Sequence, residues 1–214
     1  MRIFIAALVL IFSFQAKSNC EDIVIDNLFG VKILDDINEY AKKSNGERYD
    51  HLPNIITFED EFINLERDDD FDSYYIRTDE NYKIHNISAR KVFVYSFDSF
   101  SNDCKIQKSK MVTMLSKFFD VKINKFKNYY WMDPRNKSIY DDSTITYDDN
   151  NINLMLSAYC GYYNIDENIT SVLFVSWVTE EYFQKHVDGR WTKIEKFDDK
   201  FIKIFLSNSS GYQL

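Results

Sequence analysis

Between Lys91 and Phe119 the chain reads as a strand, a polar turn and a helix, and this unit constrains the rest of the fold more than any other stretch. Lys91 to Phe97 is rich in β-branched and aromatic residues, Ser, Asn and Asp fill the turn, and the helix begins near Cys104. Met111, Met114, Leu115, Phe118 and Phe119 recur at i, i+3, i+4, i+7 and i+8, which at about 100° per residue gathers all five on one face. Such a face needs an apolar sheet to lie on.

Alternating segments on both sides supply that sheet. Tyr74, Ile76 and Thr78 alternate with Tyr75 and Arg77, Asp79 to Asn81 turn the chain, and Tyr82 and Ile84 alternate with Lys83 and His85, which predicts a hairpin. After the helix, Lys127 to Met132, Ser143 to Tyr147 and Ile152 to Cys160 read as an antiparallel meander, and Ser171 to Val178 as an inner strand. Further helices are expected in three places. One follows the capping-box pair Asp36 and Glu39 and carries Ile37, Tyr40 and Ala41. A short one is capped at Thr179, and a terminal one runs through Ile194, Phe197, Phe201 and Phe205. The expected class is α+β, an antiparallel sheet covered by helices, in one domain over residues 19–214. A helix followed by strands occurs twice, over about 33–97 and 103–178, as two helix-plus-strands units sharing one core.

The N-terminus has the layout of a secretory signal peptide over residues 1–18. Met1 and Arg2 form a short positive region, Ile3 to Phe14 is apolar apart from Ser13, and Ala16 and Ser18 are small residues at a cleavage site. The apolar run falls short of the roughly 20 residues a membrane span needs, and no later segment approaches that length. The expectation is an exported protein, periplasmic or secreted, with no transmembrane span. Export places Cys20, Cys104 and Cys160 where disulfides persist. Cys104 and Cys160 are the expected pair, since the helix start and a strand end meet when the helix crosses the sheet. Cys20 is left over, and the alternative is three reduced, buried thiols.

The net charge of −8 argues against nucleic acid as a partner, because phosphates demand a basic face, and equally against an anionic membrane surface. One local exception runs along and beyond the central helix: Lys105, Lys108, Lys110, Lys117, Lys122, Lys125 and Lys127. Within it, Lys105, Lys108, Lys117, Lys122 and Lys125 are the candidate surface for an acidic protein partner, weighed against a plain solvated helix face.

No pattern for catalysis or a cofactor stands out. His51, His85 and His186 have no metal-ligand spacing, and His85 is expected to point at solvent. The acidic runs Asp68 to Asp72 and Asp148 to Asn151 lack the alternation and terminal Glu of a calcium loop. Cys160 beside Gly161, with His186 as base, competes with the disulfide assignment. Tyr129, Tyr130, Trp131 and Trp191 suit a ligand groove or, more simply, a core.

Three features together resemble small uncharacterised exported proteins of AT-rich bacteria. They are a signal peptide, the opening Leu28-Phe29-Gly30-Val31 before a short helix, and a Cys-headed helix answered by a Cys-ended strand. The helix-then-strands order is similar in outline to the outer-membrane assembly lipoprotein and β-lactamase-inhibitor-protein folds. The resemblance implies a protein-binding or envelope accessory module without cofactor, partnered by another protein. The alternative is an envelope-polymer hydrolase whose carboxylates the sequence does not identify.

Overall fold

The computed structural model describes residues 27–49, 52–96, 99, 102–134, 137–149, 152–165, 168–186, 192–195 and 197–207. The signal peptide expected at 1–18, together with Cys20, His51 and Trp191, lies outside them. Among the described residues nine strands form one open antiparallel sheet in the order β1-β2-β3-β4-β8-β7-β6-β5-β9. They are β1 (Glu47–Tyr49), β2 (Leu52–Glu59), β3 (Ser73–Thr78), β4 (Ile84–Ser96), β5 (Lys127–Asp133), β6 (Ser138–Asp149), β7 (Ile152–Ile165), β8 (Asn168–Thr179) and β9 (Thr192–Lys193). The helices are α1 (Asp103–Phe118), α2 (Glu180–His186) and α3 (Asp199–Ser207).

The expected α+β architecture, a sheet covered by helices, is thereby corrected: the sheet dominates and the helices are few and short. Three local misreadings account for this. Strands β6 to β8 run 12 to 14 residues, past the polar positions at which the sequence suggested turns. The first expected helix is only a 3-10 turn, Ile37–Glu39, with the Asp36 side chain accepting from the Asn38 N–H. The terminal helix starts at Asp199, and Thr192–Lys193 before it pairs with β5 at the sheet edge. The two helix-plus-strands units are likewise replaced by two meanders within one sheet. β1 to β4 and β5 to β8 lie side by side, stitched by β4 and β8 in continuous register from Asn86 opposite Val178 to Ser96 opposite Asn168.

Side chains alternate between the faces of a strand, and the first face carries the core. Ile76, Ile87, Ala89, Ala158, Leu156, Val175 and Trp177 meet Met111, Val112 and Leu115 of α1 there, with Ile37 and Tyr40 of the N-terminal segment beside them. A second cluster on the same face joins Cys160, Tyr162, Ile169 and Leu173 to Ile202 and Leu206 of α3. The opening Leu28 to Val31 is a tight turn with φ of 56° at Phe29 and 76° at Gly30, closed by paired backbone bonds between Leu28 and Val31. Gly30 suits that conformation. Phe29 is held in it by edge-on contacts with Phe71 and Tyr74, at 5.6 and 5.2 Å between centroids.

The rotation of α1 also differs from the expected apolar stripe. Met111, Leu115 and Phe119 are buried, but Met114 is 44% and Phe118 74% exposed. Two ties turn the helix. Cys104 and Cys160 stand at disulfide distance, 6.0 Å between Cα atoms. One turn further on, Lys108 reaches Asp141 of β6 at 2.5 Å in a buried ion pair. The buried arc thus follows Cys104, Lys108, Met111, Leu115 and Phe119.

Candidate functional site

The second face of the sheet carries polar and aromatic side chains, and among the described helices α2 packs on it, at one end. There Tyr182 and Phe183 cover Ile55, Met155 and Val178. The Tyr182 N–H is capped by Thr179, as the sequence suggests. His85, expected to face solvent, is half-buried, bonds Thr179 at 3.2 Å and stacks on Tyr182 at 6.5 Å.

Beyond α2 the ladder registers set out two parallel rows across six strands. One row runs Ser73, Arg90, Phe174, Tyr159, Asp142, Tyr129. The next runs Tyr75, Ser88, Ser176, Ser157, Thr144, Lys127. Small hydroxyls in the second row form a floor, and the larger side chains of the first row form a wall. The floor is buried and bonded. The Asn86 amide donates to Ser176 at 2.8 Å, Thr144 and Ser157 share a 2.6 Å bond, and Thr144 donates to Asp142 at 2.8 Å.

The wall is a ladder of rings. Tyr159 stacks on Phe174 at 4.9 Å, Tyr140 lies edge-on to Tyr159 at 6.2 Å, and Tyr129 tilts against Trp131 at 5.8 Å. Gly161 leaves space for Tyr163, which lies edge-on to Tyr140 at 6.0 Å, because a Cβ there would come within 2.7 Å of the Tyr163 hydroxyl. At the other end Arg77 and Arg90 hold their guanidinium groups over the same Tyr75 ring, at 6.0 and 4.9 Å. Arg90 has Glu59 at 3.4 Å. Arg77 has no ion pair among the described residues, and its Nε is buried without a hydrogen-bond partner.

Burial governs the ionisation of this face. It pushes the Asp142 carboxyl up to about 7, against the hydroxyl of Thr144 and the charge of Lys108. It raises the Tyr159 hydroxyl well above the usual phenol range, with Arg77 close enough to oppose it. Tyr75 is pushed up to about 12 by the same loss of water. A cavity of about 300 Å3 opens at the β5 edge, lined by Lys125, Lys127, Tyr129, Thr144, Ile145 and Thr146. Chemically the face offers flat rings, neutral hydroxyls, one carboxyl poised to hold a proton near neutrality, and cations at both ends.

The lysine stripe is divided by the fold. Lys108 is a correction: it is buried against Asp141 and presents no surface. Lys105 is half-buried with its Nζ 5.2 Å from the Phe197 ring centroid. Lys117, Lys122 and Lys125 are exposed. Arg77, Asp142, Tyr159 and Phe174 went unnoticed in the sequence. Alternation did place Arg77 opposite Ile76 and Tyr74. Asp142 was lost because β6 starts at Ser138, five residues before the strand read from Ser143. No protein-family model matches this chain, and neither does any curated protein or solved structure.

Proposed function

We propose that the protein is an exported recognition module that binds a carboxylate-bearing segment of another protein on the second face of its sheet. The observation that carries this is the tract of Phe174, Tyr159, Tyr129 and Trp131 leading to Arg77, a half-buried cation without a carboxylate of its own. Aromatic residues and arginine are the residue types enriched where protein interfaces concentrate their binding energy. A fixed, ion-pair-free guanidinium binds a carboxylate in a bidentate fork. The bonded floor of Ser88, Ser157, Ser176 and Asn86 holds those groups in place. Export rests on the signal-like N-terminus and on the Cys104–Cys160 pair. Among the described residues no helix is long and apolar enough to cross a membrane.

Binding is favoured over polymer hydrolysis by the spacing of acids on this face. Asp133 lies four positions along β5 from Tyr129, the register partner of Asp142. Four strand positions span roughly 13 Å, beyond the roughly 5–9.5 Å of paired glycosidase carboxylates. Asp141, adjacent in sequence, points to the other face and is bound to Lys108.

The test is site-specific photo-crosslinking in cells that make the protein, with benzoyl-phenylalanine in place of Phe174 and, as control, in place of Ile204 on α3. The expected result is a discrete protein adduct from position 174 and none from 204, lost when Arg77→Ala is added. An adduct equal at both positions, one indifferent to Arg77→Ala, or none at 174 overturns the proposal.

A further inference from the structure

A separate surface lies on the opposite side of the molecule, where α1 covers the first face. From Asp103 to Lys127 the chain holds seven lysines and two aspartates, in a protein of net charge −8. One of the seven, Lys108, is neutralised inside. Lys110, Lys117, Lys122 and Lys125 are exposed and make no ion pair among the described residues. Between them stand bulky apolar side chains: Ile106 is 52%, Met114 44%, Phe118 74% and Ile123 53% exposed. The last belongs to the 3-10 turn Ile123–Lys125 that follows α1 after the left-handed Asp120. Positions 106, 110, 114, 117 and 118 fall within about a third of the helix circumference at 100° per residue. The outward side of α1 is therefore a continuous band of alternating cations and hydrocarbon.

We propose that this band seats the protein on an anionic phospholipid surface, with α1 lying in the plane of the headgroups. Charge complementarity selects the occupant, because four exposed lysines without an ion pair among the described residues stand together here, interleaved with exposed hydrocarbon. Side-chain form narrows it further. A helix lying in a membrane interface combines a row of lysines with Ile, Met or Phe that enters the acyl boundary. Lysine stems extend alongside while the ammonium groups stay at the phosphates. The side chains at 106, 114 and 118 stand exposed on the outward arc of the helix, where an acyl boundary accepts them. The band is independent of the second-face tract. Seated this way, the protein turns that tract away from the lipid.

The test is co-sedimentation of the full chain with vesicles of phosphatidylcholine, alone or with roughly one-third phosphatidylglycerol, at ~0.1 M and ~0.5 M salt. A retained apolar run at Ile3 to Phe14 would bind lipid by itself, so every comparison is between variants with the same N-terminus. Binding is expected with the anionic vesicles and not the neutral ones, and it is expected to weaken at the higher salt. Replacing two surface lysines, Lys110→Gln with Lys117→Gln, should lower the affinity roughly thirtyfold. Phe118→Ser should weaken it further without altering the far-ultraviolet circular dichroism. Binding that ignores these changes overturns the proposal, as does a failure to bind anionic vesicles. A dimer that Phe118→Ser dissociates, or poly-glutamate competing as well as lipid, also overturns it and assigns the band to a second copy or to an acidic protein.

Discussion

Among the described acidic residues, Asp142 is the one whose ionisation folding changes most. Its carboxyl ionises at about 7 rather than the ordinary 3.8, because burial withholds water from the charged form. A folded pKa above the unfolded one means that the native state keeps its proton longer. The cost of this group is absent below about pH 4, grows as the pH rises to about 7, and then levels off at about 4 kcal/mol. Asp142→Asn keeps the shape and removes the charge. We expect it to raise the unfolding temperature at pH 8 and to leave it nearly unchanged at pH 4. A fall at pH 8 would show that the ionised carboxylate is held by a partner. On the other side of the sheet, Lys108 and Asp141 are buried together. Lys108→Met should cost roughly 3–5 kcal/mol by stranding the aspartate, and adding Asp141→Leu should recover most of it. Denaturant unfolding of the four proteins in that cycle measures the coupling. Neither role was legible at the residue level. Lys108 shares the helical spacing of its surface neighbours, and only the rotation of α1 separates it from them.

At the scale of the element, α1 shows how an apolar stripe can be half right. Five residues met the spacing rule, and Met111, Leu115 and Phe119 are buried while Met114 and Phe118 face out. The rule finds a face about 100° wide, and its centre is set by what the helix is tied to. Leu115→Ala should cost about 2–5 kcal/mol, and Phe118→Ser should stay within about 0.5 kcal/mol of wild type. Equal effects from the two would return the helix to the orientation read from sequence. The tie at Cys104 and Cys160 closes a sequence separation of 56 residues. In the chain-entropy account such a loop contributes on the order of 4 kcal/mol. Cys104→Ser is therefore expected to lower the denaturant midpoint sharply while leaving the sheet signal in circular dichroism intact.

For the molecule as a whole, the decisive junction is between β4 and β8. Their ladder runs from Asn86 to Ser96 without interruption and joins two meanders whose other connections are local. Both meanders also contribute to one apolar cluster through Ile76, Ala89, Leu156 and Val175. Unfolding should then be a single transition, with tryptophan fluorescence and far-ultraviolet dichroism superimposing and calorimetric and van't Hoff enthalpies equal. Two separable transitions would mean that the halves are stable alone. Because β4 and β8 are some 80 residues apart along the chain, folding should take milliseconds to seconds, as in other sheets built on non-local pairs.

The sequence by itself determined the local and the covalent. Alternation at Tyr74 to Thr78, the turn after it, the Thr179 cap and the position of α1 all follow from interactions within a few residues, which composition and spacing record. It also singled out Cys104 and Cys160, since a helix crossing a sheet brings few cysteines within reach. The tertiary structure alone decided how far the strands extend, because a polar segment such as Ser138 to Asp142 at the start of β6 is stable as a strand only when neighbours satisfy its ladder. It decided which lysine is buried. Above all it decided the second face, where Arg77, Phe174, Tyr159 and Asp142 come from four strands over 98 positions of the chain. Their juxtaposition exists only through inter-strand register, and register is a property of pairing that no single segment encodes.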